Sequence, residues 1–232
     1  MKNKTLWKQV GAAAIAAAMV MSTVPATPVQ AAGGKMLAVS SQKQLNQALK
    51  TVKGKNAVIT VKAGKNVKIT IPKGTYKVTI RVVGKKAAVV NNGTVKEIVV
   101  NSKGTVAIKN NGTIKKVTVQ NAKSVSFSGN HKKAVPVVVN AEDVSMILAA
   151  PAKITAKKDV NIVLKKGAEK SSITCTKNVQ AQVDNQTKKA ISVKIADGTT
   201  LKVESGESCT ITPKGKKEDT SGEDKTDGKD QK

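Results

Sequence analysis

Aromatic residues are nearly missing from this chain: its 232 residues include one Trp, one Tyr and one Phe, at positions 7, 76 and 127. Sugar clefts usually stack their ligands on aromatic faces, and single-stranded nucleic acids are gripped the same way. Both modes of recognition are therefore excluded. Histidine is scarcer than it looks, because His131 is the only one and no suitable cysteine stands near it. Neither a zinc site nor a nucleophilic triad can be written on that basis. His131 lies beside Lys132 and Lys133 and reads as a surface turn.

The two cysteines, Cys175 and Cys209, each alternate with inward apolar residues, Ile173 and Ile211. If each repeat of the chain adds one rung of about 4.8 Å, their separation of 34 residues places them roughly two rungs apart, beyond the ~7 Å between Cα atoms that a disulfide tolerates. Buried thiols are expected. Arginine is almost absent as well. Acids are few, 15 against 41 basic residues.

The ends obey different rules from the middle. Lys2, Lys4 and Lys8 precede an apolar, alanine-rich stretch over 10–24, and PATPVQA follows with small residues where a signal peptidase cuts. Residues 1–31 thus read as a secretory leader, too short in apolar length for a membrane span. Residues 214–232 hold six lysines, six acids and no aliphatic or aromatic side chain. Such a composition buries too little surface to offset ordering, so a disordered charged tail is expected. Without leader and tail, 32 basic and 9 acidic residues remain, and the single arginine among them is Arg81. Lysine is a hydrated point charge, whereas shaped anion pockets favour the planar fork of arginine.

What the middle has in quantity is repetition. NNGTVKEIVV at 91–100 returns as NNGTIKKVTV at 110–119, a step of 19. The same step aligns Gly74-Thr75, Gly93-Thr94 and Gly112-Thr113, then Lys77, Lys96 and Lys115, then Asn92, Asn111 and Asn130. NAKSVSF at 121–127 recurs as NAEDVSM at 140–146. Periods near 20 residues belong to stacked units that bury their faces only against neighbours. Within each unit, AVITV, NVKITI and YKVTIRV alternate in Val, Ile and Thr between Gly, Asn and Lys, which is strand periodicity with turn punctuation. The expected fold is all-β, a single-stranded parallel β-helix, that is a solenoid, of about eight coils over 56–213. The asparagine column Asn92, Asn111, Asn130 is expected to bond along the stack. Hexapeptide helices of left hand repeat in multiples of six, so a step of 19 favours the right-handed form.

Within the segment 32–55, residues 40–54 carry a serine cap, apolar Leu45, Ala48 and Leu49 at helical spacing, and a closing glycine. That predicts one amphipathic capping helix covering the first coil. The lid helix followed by AVITV, the 19-residue coils and the Asn92, Asn111, Asn130 column resemble the pectate-lyase-like superfamily of secreted right-handed β-helix proteins. The resemblance is one of architecture. It implies a fold shared by enzymes, adhesins and structural fibres, and no residue here matches the carboxylate machinery of the family's polysaccharide-cleaving members.

Candidate sites follow from the remaining residue types. Asp143 and Asp159 fall in an equivalent turn of successive units, and with Glu142 they are weak candidates for a calcium site or a carboxylate pair. Beside Lys157 and Lys158, their plainer reading is solvated turn residues. The stronger candidate is the column Lys77, Lys96, Lys115 with Lys68, Lys109, Lys116 and Lys123 around it, a surface for polyanions such as teichoic-acid-like polymers or anionic polysaccharide. The expectation is a secreted protein, free or held non-covalently at a cell surface, without catalytic residues, cofactor, metal or specific nucleic-acid partner. The alternative is a polysaccharide lyase or hydrolase acting near Asp143 and Asp159.

Overall fold

The computed structural model describes residues 35–63, 66–213 and 217–219. The expected leader, 1–31, lies outside the described residues, as does most of the expected tail. Strand β1 (Lys35–Val39) precedes helix α1 (Gln42–Thr51). Then β2 (Ala57–Ala63) and β3 (Val67–Ile71) complete the first full coil. Next come β4 (Val78–Asn91), β5 (Thr94–Val95), β6 (Glu97–Asn110) and β7 (Thr113–Ile114). Pairs follow: β8 (Val117–Asn121) with β9 (Ser124–Gly129), β10 (Val135–Val139) with β11 (Val144–Ala149). Two further pairs are β12 (Ala152–Ala156) with β13 (Val160–Leu164), and β14 (Ser172–Cys175) with β15 (Ala181–Asn185). The chain closes with β16 (Ile191–Lys194), β17 (Thr200–Val203), β18 (Ser208–Ile211) and β19 (Lys217–Asp219).

These strands make a β-solenoid of about eight turns, as the repeat implies. One parallel stack runs β1, β2, the first half of β4, the first half of β6, β8, β10, β12, β14, β16. A second runs β3, the second halves of β4 and β6, β9, β11, β13, β15. A short third side is held by the bridge Thr75 to Thr94 and by β5 on β7. Alternation decides which side chains face inward. Ile80, Ile98, Val117 and Val137 are in register rung upon rung, and all are buried. In the second stack Val89, Ile108, Phe127 and Leu148 do the same, which places Phe127 in the core where Ile108 stands one coil earlier. Burying each such side chain contributes roughly 1.5–3 kcal/mol.

The two ends are closed differently. At the start, α1 buries Leu45, Ala48 and Leu49 against the first coil, capped by Ser41, whose hydroxyl accepts from the Gln44 N–H at 3.3 Å, and followed by Gly54 at φ +73°. β1 adds a rung before the helix that the repeat does not announce. At the far end parallel winding stops at β16. β17 turns back antiparallel on β16, and β18 lies antiparallel on β15. Asn185, fully buried on β15, anchors this closure: its Nδ2 donates to the carbonyls of Lys189, Val203 and Glu204 at 2.9–3.0 Å.

Two expectations change here. Lys217–Asp219, placed in the tail, form a strand antiparallel to β18, because an edge of open N–H and C=O groups needs backbone partners, not apolar side chains. The cysteines are not two rungs apart in one stack: Cys175 is in β14 of the first stack and Cys209 in β18 beside the second. Both are buried thiols rather than a disulfide, as expected on other grounds.

Candidate functional site

The third side explains why Gly-Thr recurs. The N–H of Thr94 donates to the Gly74 carbonyl at 2.7 Å and that of Thr113 to the Gly93 carbonyl at 2.8 Å. A Cβ at Gly112 would lie 2.1 Å from the Gly93 oxygen. Only glycine lets the coils approach this closely. Two asparagine ladders flank the column. Asn111 Nδ2 donates to Asn92 Oδ1 at 3.0 Å on the outside, as expected, but Asn130 joins through its backbone N–H, bonded to the Asn110 carbonyl at 3.1 Å. The buried ladder is the neighbouring one, Asn91 and Asn110, both fully enclosed, with Asn91 Nδ2 donating to Asn110 Oδ1 at 2.8 Å and to the Gly93 carbonyl at 3.0 Å.

His131 sits where the ladder ends. It lies in a turn, as expected, yet it is half-buried, with Nδ1 3.2 Å from the Asn110 carbonyl and Nε2 3.0 Å from the Pro151 carbonyl. Its ring packs edge-on to Phe127 at 5.2 Å between centroids. It ties three successive coils together and is structural.

The candidate lysines are all exposed, but the structure does not gather them on one surface. Lys77, Lys96, Lys115 and Lys116 occupy the third side and the start of the first stack. Lys96 and Lys115 are in register, bounded by Val95 on Ile114 and Ile98 on Val117. Lys77 slips, since residues 76–78 oppose only 95–96 between the Thr75 to Thr94 bridge and the Thr79 to Glu97 pair. Lys68 and Lys109 are on the outer face of the second stack. There Lys68 and Lys86 border a hollow of about 170 Å³ floored by Val67, Ala88 and Ala107. Lys123 is at the opposite corner, between the two stacks, where its N–H donates to the Gly104 carbonyl. Sequence spacing aligned Lys96 with Lys115, but Lys77 falls out of their register and the seven lysines do not share one surface.

Further lysines belong to the third side, unremarked by the repeat: Lys132 and Lys133 in one coil, Lys166 and Lys170 in a later one, Lys188 and Lys189 in the last. Two acids near this side are engaged internally. Glu97 accepts from Thr118 Oγ1 at 2.6 Å and faces Lys116 Nζ at 3.5 Å. Glu169 takes the Gly167 N–H on both oxygens at 3.1 and 2.9 Å, which holds its carboxyl below the usual range.

Glu142, Asp143 and Asp159 do come together. They line a polar cavity of about 380 Å³ at the corner between the stacks, with Lys157, Lys158 and Lys177. The N–H of Asp143 donates to the Asp159 carbonyl at 3.1 Å, confirming that the two turns stack. Asp159 Oδ1 accepts the Gln180 N–H at 2.9 Å. Glu142 is paired with Lys158 at 2.8 Å, and this bond holds the Glu142 carboxyl low and the Lys158 ammonium high. Both members are well exposed, so the pair contributes little stability. The three carboxylates do not converge as a metal-holding group: among the described residues no such cluster of His, Cys, Asp or Glu forms. Among the described residues, too, no helix is long and apolar enough to cross a membrane.

The fold defines a β-solenoid. No family model, curated protein or solved structure matches the chain.

Proposed function

We propose that this is a secreted, non-enzymatic β-solenoid, its coils wound to the right, that associates with anionic polymers of a cell envelope or matrix through its lysines. One observation carries the reading. Among the described residues, the lysines within ion-pair distance of a carboxylate are Lys116 and Lys158. The other described lysines have no carboxylate of the described residues at ion-pair distance, and such a surface draws polyanions by releasing their counterions. Teichoic-acid-like chains or anionic polysaccharide are the partners of matching chemistry.

Binding of the chain from Ala32 onward to purified cell walls, with and without their anionic polymers and across a salt series, tests this. Saturable binding that vanishes with the polymers and weakens steeply with salt is expected. Binding indifferent to both overturns the reading.

The polar cavity at Glu142, Asp143 and Asp159 favours a second reading, cleavage of a polysaccharide there, because carboxylates and lysines share one hollow. Its test is product release from acidic polysaccharides by the wild type and by the Asp143→Asn, Asp159→Asn double variant.

A further inference from the structure

We infer that the bound polymer lies lengthwise along the third side of the solenoid, one coil after another, rather than wrapping the molecule or spreading over both sheets. This rests on the polyanion reading above and specifies where and how it operates.

Three observations place it there. The chain passes from the second stack to the first on this side, and its exposed lysines, Lys77, Lys96, Lys115, Lys133, Lys166 and Lys189, climb the molecule in order, with the one intervening coil that turns through Ala150 and Pro151 carrying none. Six steps separate the coil of Lys77 from that of Lys189, so rungs about 4.8 Å apart give a charged line of roughly 30 Å. Two of its acids are held locally, Glu97 by Thr118 and Lys116 and Glu169 by the Gly167 N–H, and the others, Glu204 and Glu207, stand only in the turn bonded to the last coil. The opposite corner is different. Lys85, Lys103 and Lys123 are followed there by Glu142 and Asp143, and then by Asp159 beside Lys157, Lys158 and Lys177, so acids interrupt its line of positive charge.

The chemistry recognised is a linear polyanion with closely spaced charges. Tyr76, the ring on this side, is half-buried and turns its Oη to the Lys73 carbonyl at 3.3 Å, so charge spacing rather than ring stacking selects the partner. A phosphodiester chain and a uronate chain both meet that description, and probes of each distinguish the source.

The experiment uses the chain from Ala32 onward with poly(glycerol phosphate) and polygalacturonate of graded length. A third-side variant, Lys96→Gln, Lys115→Gln, Lys133→Gln and Lys166→Gln, is compared with a corner variant, Lys85→Gln, Lys103→Gln, Lys123→Gln and Lys177→Gln. Affinity for at least one polymer is expected to rise with length and level off near the length of the charged line. The third-side variant is expected to lose roughly tenfold or more in affinity, with a log–log salt slope shallower by about three, since each lost contact on a single strand removes about 0.7. The corner variant changes the slope by less than one third of that. Equal losses in both variants, or affinity that keeps rising with length, overturn the lengthwise track while leaving polyanion binding intact. Failure of the unmodified chain to bind either polymer or the cell wall overturns both.

Discussion

The side-chain amide of Gln42 closes on both backbone groups of Thr70: Nε2 donates to the carbonyl at 2.8 Å, and Oε1 accepts the N–H at 2.6 Å. One helical side chain thereby stands in for a missing strand. Thr70 lies in β3, the first rung of the second stack, whose lower edge has no strand beneath it among the described residues. An uncovered edge recruits other chains. Gln42→Ala is expected to cost about 1–3 kcal/mol in denaturant unfolding, from a donor and an acceptor left unpaired, and to raise self-association in sedimentation. Gln42→Glu keeps an acceptor for the Thr70 N–H and sets a second acceptor against its carbonyl, so it is expected to recover little of the loss.

Gly112→Ala tests the close approach of coils on the third side. The added Cβ would lie 2.1 Å from the Gly93 oxygen, where backbone on both sides leaves nowhere to move. Overpacking of this kind costs typically 1–3 kcal/mol, and the upper end is expected because a rung hydrogen bond, Thr113 N–H to Gly93 carbonyl, is strained with it. Gly198→Ala is the comparison: φ is +93° but the space is open, so only the backbone penalty of about 1 kcal/mol applies. Similar losses in the two variants would remove close approach as the reason for the glycine column.

The buried ladder gives a third expectation. Replacing Asn91 by Ala leaves the Asn110 Oδ1 and the Gly93 N–H without their partner in an enclosed site, while the Gly93 carbonyl keeps the Thr113 N–H. Each buried orphan costs about 1–3 kcal/mol. Asn92→Ala, one residue along the chain, removes a single bond on the outside and is expected to cost under about 1 kcal/mol. A thermal melt of the two variants side by side decides the matter, and equal midpoints would mean that the inner ladder contributes nothing special.

That contrast also marks how far the sequence can be read. The period of 19 is legible because inward residues such as Ile80, Ile98 and Val117 must repeat to stack, and the capping helix because Leu45, Ala48 and Leu49 share one face. Which asparagine of each Asn-Asn pair turns inward is not legible, since 91 with 110 and 92 with 111 share the same step and the choice belongs to the corner backbone. Strand direction is hidden for a related reason. Alternation in β17 and β18 looks the same whether they run parallel or antiparallel, so the reversed closure held by Asn185 went unannounced. Charged side chains are the least constrained of all. The register of Lys96 with Lys115 is legible in the period, but which side of a coil a residue occupies is not, and Lys68 and Lys109 in the second stack and Lys123 at the opposite corner fall on other faces.

Cys175 supplies a pH prediction. Burial first, and the nearby Asp159 charge second, push its thiol from 9.0 up to about 11. The raised value means that the folded state holds this proton more tightly than the unfolded chain. The contribution is therefore fully present below pH 9.0 and is lost as pH rises toward about 11. Its full size is about 2–3 kcal/mol, at 1.36 kcal/mol for each pKa unit. The measurement is a difference that isolates this thiol: unfolding free energy of wild type minus that of Cys175→Val at pH 8 and at pH 10.5. The gap should shrink between the two by about 2 kcal/mol. Alkylation gives the kinetic counterpart, because the thiolate is the nucleophile. Iodoacetamide at pH 8 should leave Cys175 unmodified in the folded protein and label it on unfolding in denaturant. Rapid labelling of the native thiol would show that β14 opens locally, and would weaken the account of an uninterrupted core from α1 to β16.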